Sequence, residues 1–174
     1  MFSSIDSIVE MFPHRSIDPI VGQMNYETLS EVHLKLNTNA ASVHSYLGYG
    51  LLGLLYPTVT PAVYNTRLAV PFVTPNHPGP TTTVPENSTS LQISKIHRQF
   101  NQATAFYKEY NDTNKSLKSL LILAVDNTYI RDLKDKYTGY ANVTTLRMPT
   151  HIYNSYAKIT PLDLEQNDTR MKTD

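Results

Sequence analysis

Cysteine and tryptophan are both absent from this 174-residue chain, and glycine occurs only six times. Without sulfur ligands there is no disulfide framework, no thiolate zinc site, no iron–sulfur cluster and no cysteine nucleophile. With so few glycines there is no Gly-x-x-x-x-Gly-Lys-Ser/Thr, Gly-x-Gly-x-x-Gly or Gly-x-Ser-x-Gly stretch, so the usual phosphate loops and the nucleophile elbow are excluded. Charge of one sign is missing too: 15 basic side chains face 15 acidic ones. No global field therefore draws the chain to nucleic acid or to an anionic membrane. The most apolar stretch, Gly48 to Tyr56, is far shorter than the roughly 20 residues that cross a bilayer, and Pro57 ends it. The first residues lack a basic segment and an uninterrupted apolar run, with Asp6 and Glu10 in the way, so a cytoplasmic protein without a secretory signal is expected.

What is present is a globular composition, 40% hydrophobic and 17% charged, with enough apolar surface for one core. Helical spacing recurs along it. Ile5, Ile8, Val9 and Phe12 predict a short helix stopped by Pro13. Asn25 offers an N-cap for a helix over 26–47, with Leu29, Val32, Leu36, Ala40, Val43 and Leu47 on its inner face and Gly48 and Gly50 as its stop. Thr60-Pro61 opens a helix to about Leu68.

Residues 71–90 hold five of the eleven prolines and read as a long, polar loop. Beyond it Ile96, Phe100, Ala103, Tyr107, Tyr110, Asn114, Leu117, Leu121 and Ala124 follow at alternating steps of four and three. Asn111-Asp112-Thr113-Asn114 prefer caps and turns, which predicts one helix before Asn111 and a second from about Thr113 to Gly139. A helix over 146–158 and a last one opened by Thr160-Pro161 complete the pattern. No hairpin signal and no sustained period of two occurs, so the expected fold is all-α, a helical bundle. The divisions are 1–24, a short helix and arm; 25–70, a helical hairpin region; 71–90, the Pro-rich loop; and 91–174, a helical core.

Three segments carry a resemblance: Leu36-Asn37-Thr38-Asn39-Ala40-Ala41-Ser42-Val43-His44-Ser45, Pro57-Thr58-Val59-Thr60-Pro61-Ala62-Val63-Tyr64 and Gly139-Tyr140-Ala141-Asn142-Val143-Thr144-Thr145. Together with the order of elements and the aromatic pair in His151-Ile152-Tyr153-Asn154-Ser155-Tyr156, the chain resembles the Gag-like capsid region of copia-type retrotransposons, especially those of diatoms and related algae, over about residues 13–172. The resemblance implies a non-enzymatic, capsid-like helical lobe that self-assembles into a particle around the element's RNA. It also implies a second lobe beyond residue 174. Pro149, at about the fourth position of a predicted helix, departs from the pattern.

Candidate chemistry is sparse. Histidines 14, 33, 44, 77, 97 and 151 are the only neutral-pH acid–base groups, and His33 and His44 would share a face of the first long helix. No Glu-x-x-His or His-Glu-x-x-His spacing adds ligands, so neither a metal, a cofactor nor a small-molecule substrate is expected, and no catalytic residue is named. Asp132 and Asp135 lie among Arg131, Lys134 and Lys136, where solvated ion pairs are the usual outcome. The charge is uneven: residues 91–140 carry 8 basic and 5 acidic side chains, residues 1–70 carry 3 and 5. Lys95, Arg98, Lys108, Lys115 and Lys118, near Tyr107 and Tyr110, are the candidate RNA contacts, since cations can meet phosphate while tyrosines stack on bases. The competing reading puts the tyrosines in the core and the lysines on its solvated back. The expected partners are a second copy of the chain and RNA, with no membrane. A small helical RNA-binding adaptor is the alternative function, and a histidine-dependent enzyme the third.

Overall fold

The computed structural model describes residues 4–80, 82–157 and 170. Among the described residues five α-helices order it: α1, Ile5–Glu10; α2, Tyr26–Ala41; α3, Pro61–Arg67; α4, Ser90–Ala124; and α5, Arg147–Ser155. Among the described residues the only β feature is an isolated antiparallel bridge between Asp135 and Gly139. The chain is mostly helical, in the all-α class. No described helix is long and apolar enough to cross a membrane. The helix foreseen at Thr160-Pro161 lies outside the described residues.

The helix starts follow from their caps. Asn25 accepts from the Thr28 amide while Thr28 returns a hydrogen-bond acceptor to the Asn25 amide, so two otherwise orphaned donors at the start of α2 are satisfied. Thr89 and Gln92 do the same for α4. At α3 the Thr60 hydroxyl accepts from Val63 and Pro61 occupies the first helical position, where a missing N–H costs nothing.

Two helix ends differ from the sequence pattern. α2 stops at Ala41, not near Leu47, because the chain folds back on it. The Ala40 carbonyl, which a continuing helix would offer to His44, accepts instead from Val43 and from Leu54, at 3.3 and 2.9 Å. The His44 amide turns to the Met11 sulfur, 3.4 Å away. Val43 stays buried, but it reaches the core from a turn, and Gly53 (φ +53) lies against the carbonyls of Ala41 and Val43.

The second difference is α4, one 35-residue helix where a break at Asn111 was predicted. Three of the four polar residues there are satisfied without breaking the helix, while the Thr113 hydroxyl is buried with no hydrogen-bond partner among the described residues. Asn111 donates to the Tyr107 carbonyl at 2.8 Å, Lys108 pairs with the buried Asp112, and Asn114 accepts from the Thr145 hydroxyl at 2.8 Å. The helix then ends at Ala124, short of Gly139. The Ala124 carbonyl accepts from Ile20 at 2.9 Å, and Asp126 caps a new turn through Thr128. Short 3-10 turns at Asn127–Tyr129 and Arg131–Leu133 carry the chain to α5. α5 tolerates Pro149 within its first turn, whose amides have no intrahelical acceptor.

The core lies where the C-terminal half of α4 meets α1 and α2, with α5 closing against α2. Ile8, Leu29, Leu36, Leu54, Leu117, Leu121, Ile130, Met148 and Ile152 are wholly buried there. The 71–90 segment is less detached than its polarity suggests. Phe72 is buried, stacked on Tyr56 with ring centroids 4.5 Å apart and on Tyr110 at 5.8 Å, while His77 meets Tyr107 edge-on at 4.9 Å. The segment thus starts against the middle of α4 and must run back along it to reach Ser90.

Candidate association and nucleic-acid surfaces

The five candidate cations sit on one helix, yet they do not form one patch. From residue 95 to residue 118 the helix rises about 35 Å, and the side chains point in several directions around it. Lys95 and Arg98 are exposed on the first turns, and Lys115 is exposed further on. Lys108 is committed to the Asp112 carboxylate one turn away. Lys118 is used by the fold: its ammonium donates to the carbonyls of Tyr140, Ala141 and Val143 at 2.8, 3.1 and 3.0 Å. Partial burial, with Lys115 nearby, lowers its pKa from the ordinary lysine value.

That lysine pins the 139–143 turn to α4, and Lys118→Met should release it. The expected loss is about 1–2 kcal/mol, the worth of hydrogen bonds to a charged group discounted for its partial exposure. Urea denaturation compared with Lys115→Met, which should change little, checks it.

The aromatic half of the candidate site is also occupied. Tyr110 is half-buried against Phe72, and burial raises its hydroxyl pKa. The Tyr107 ring faces His77. Both tyrosines serve the contact between α4 and the 71–90 segment, so of the predicted set Lys95, Arg98 and Lys115 are what the surface offers to phosphate.

The histidines are dispersed. His33 Nε2 lies 2.7 Å from the Thr58 carbonyl, which can only accept, so that nitrogen carries the proton. His44 lies beyond the end of α2 and is exposed, so the two do not share a helix face as their spacing suggested. His77 Nδ1 accepts from the Gly79 amide at 3.0 Å, His97 is exposed, and His151 Nε2 is buried with no hydrogen-bond partner among the described residues. No group of three or more His, Asp or Glu that could hold a metal ion is found among the described residues.

The acidic groups have local work. Asp132 lies 3.9 Å from Arg131 at the surface. Asp135, expected in an ion pair, instead accepts from the amides of Thr138 and Tyr137, both at 2.8 Å, and from the Thr138 hydroxyl. Those bonds hold its pKa below the ordinary value and close the turn bridged to Gly139.

Sequence reasoning passed over Glu109. It is the only acid between Asn87 and Asn111, which was the available signal. Its half-buried carboxylate accepts from the Ser45 hydroxyl, tying α4 to the turn after α2. Burial raises its pKa, and the Ser45 bond offsets part of that. A carboxyl group whose pKa is raised on folding contributes stability below the ordinary range and loses it as pH rises through the raised value. Glu109→Gln keeps an acceptor for Ser45 without the charge. The variant is expected to melt higher than the parent at neutral pH, with the difference closing near pH 4, as thermal unfolding at the two pH values would show.

Exposed apolar groups are the remaining surface feature. The N-terminal half of α4 extends beyond the buried core: no residue from Ser90 to Asn111 is buried, whereas Asp112, Thr113, Ser116, Leu117, Leu121 and Ala124 are. Leu91 is 81% exposed on this half, and Leu34 on α2 is 64% exposed. Tyr46, Tyr49 and Leu51 stand out from the turn after α2. Comparison with protein-family models, with curated proteins and with solved structures finds no match to this chain.

Proposed function

We propose that this chain is a non-enzymatic structural protein, a Gag-like retrotransposon capsid domain that associates with copies of itself into a particle around its RNA, in the cytoplasm. The observation that carries the reading is the N-terminal half of α4, no residue of which is buried. A 35-residue helix whose first half stands clear of the core, with an exposed leucine among its polar residues, offers surface that folding alone does not use. The Gag-like phrasing of residues 36–45, 57–64 and 139–145 supports the same reading. Weak contacts of this kind gain force by repetition in a closed assembly.

The test is mass by light scattering across protein concentration and salt, with negative-stain images of the same samples. Growth into discrete oligomers or shells is the expected result. A strict monomer at high concentration would overturn the reading.

A second reading, a small RNA-binding adaptor, is favoured by the exposure of Lys95 and Arg98 in a stretch without acids. It expects a monomer whose RNA affinity falls steeply with salt. RNA titration of the light-scattering samples separates the two.

A further inference from the structure

Two exposed helix faces of this chain carry opposite charge. Residues 1–35 hold five acids, Asp6, Glu10, Asp18, Glu27 and Glu31, against Arg15 and the half-buried Lys35, and all five acids are exposed. Residues 87–107 hold no acid, and Lys95 and Arg98 are both exposed.

On α2, Glu27, Glu31 and Leu34 fall at positions i, i+4 and i+7 and so share one face, opposite the buried Leu29, Val32, Leu36 and Ala40. On α4, Leu91, Lys95 and Arg98 repeat the spacing on one face of the projecting half. The first is two acids followed by a leucine. The second is a leucine followed by two bases.

Laid antiparallel, the triplets set Glu27 against Arg98, Glu31 against Lys95 and Leu34 against Leu91, each within about one residue's rise, 1.5 Å, of register. A parallel arrangement would set Leu91 against Glu27 and Leu34 against Arg98. The two faces cannot meet within one chain, because the opposite, buried face of α2 packs on the C-terminal half of α4. Their complement is therefore on another copy.

We propose that the Glu27–Glu31–Leu34 face of α2 docks antiparallel on the Leu91–Lys95–Arg98 face of α4 in a second copy of this chain. The inference rests on the self-association reading and deepens it by naming the surfaces. Because the two patches differ, the contact is head-to-tail: a joined pair keeps a free basic face on one copy and a free acidic face on the other, and the assembly grows until it closes on itself. The exposed ion pairs make it salt-sensitive, weakening from about 50 mM to about 500 mM salt.

The experiment uses two charge reversals, Glu27→Lys with Glu31→Lys, and Lys95→Glu with Arg98→Glu, read by sedimentation and light scattering beside the unchanged chain. All four positions are exposed, and circular dichroism checks that both variants fold. Each reversal faces like charge with like and is expected to weaken association at least about tenfold. An equimolar mixture of the two is the decisive arm. There the basic α4 of one variant meets the acidic α2 of the other, and the reversed pair is complementary too, so association should return.

Reversals that associate as the unchanged chain does would overturn this interface and leave the self-association reading standing. An unchanged chain that stays monomeric would overturn both. Loss of RNA retention by the Lys95→Glu, Arg98→Glu variant with its oligomers unaltered would overturn the interface and assign those two cations to nucleic acid.

Discussion

Gly53→Ala is expected to cost this protein more than any other single methyl added to its glycines. Gly53 has φ +53, a left-handed conformation that costs an L-residue with a side chain about 1–2 kcal/mol. The larger penalty is steric. A Cβ there would stand 2.7 Å from the Ala41 carbonyl carbon and 2.7 Å from the Val43 oxygen, and nearer still to the Ala41 oxygen. All three are backbone atoms, so no side chain can swing aside. Either the turn after α2 opens, losing the bond from Leu54 to Ala40, or the end of α2 unwinds. A loss of about 3–5 kcal/mol follows, a large part of the 5–15 kcal/mol that holds a typical domain. Gly22→Ala is the control, since Gly22 also has positive φ (+81) but nothing lies within 4 Å of its Cβ. It should lose only the conformational part. Urea denaturation of the two variants separates clash from backbone strain, and equal losses would show that the tight approach at Gly53 does not matter.

Asn39→Ala comes second. Asn39 is fully buried on α2, and its amide bridges one residue in both directions: Oδ1 accepts from the His14 amide at 2.9 Å, and Nδ2 donates to the His14 carbonyl at 2.8 Å. The side chain thus stands in for a β-strand partner and pins the arm between α1 and α2. Truncation removes two hydrogen bonds and leaves two partly buried backbone groups without partners, for an expected loss of about 3 kcal/mol. The loss should be local first. Hydrogen exchange at the His14 amide is expected to rise well before the amides of Leu117 and Leu121 respond. Uniform loss of protection along the chain would contradict this account. Asn39→Asp gives a graded version, because a carboxylate still accepts from the His14 amide but repels the His14 carbonyl.

Those two residues show how far the sequence could be read. Asn39 falls three residues after Leu36 and seven after Val32, so its spacing set it on the inner face of the predicted helix, but nothing in that spacing named His14 as its partner. Gly53 was one glycine of six. What makes each matter is a backbone segment far along the chain, His14 in one case and Ala41 in the other. Local patterns carry no record of that.

The helix starts were legible. The Asn25 and Thr60-Pro61 caps act within three residues of themselves, and the four-and-three spacing from Ile96 to Ala124 marks a face of α4 whose end is buried at Leu117, Leu121 and Ala124. Helix ends were less so. α2 ends where Leu54 takes the Ala40 carbonyl, and α4 runs through Asn111–Asn114 with Asp112, Asn111 and Asn114 satisfied by Lys108, the Tyr107 carbonyl and Thr145.

The candidate site divides in the same way. That Lys95, Arg98, Lys108, Lys115 and Lys118 lie on one helical stretch, with Asp112 one turn from Lys108, could be read directly; that Lys118 serves three carbonyls and that Asp112 is buried could not. By itself the sequence determined the helical class, the cap positions and the absence of sulfur chemistry, because each depends on composition or on neighbours within a turn. Only the tertiary structure decided which cations remain exposed, which polar groups are spent inside the fold and which helix faces stand uncovered, because those depend on residues brought together from opposite ends of the chain.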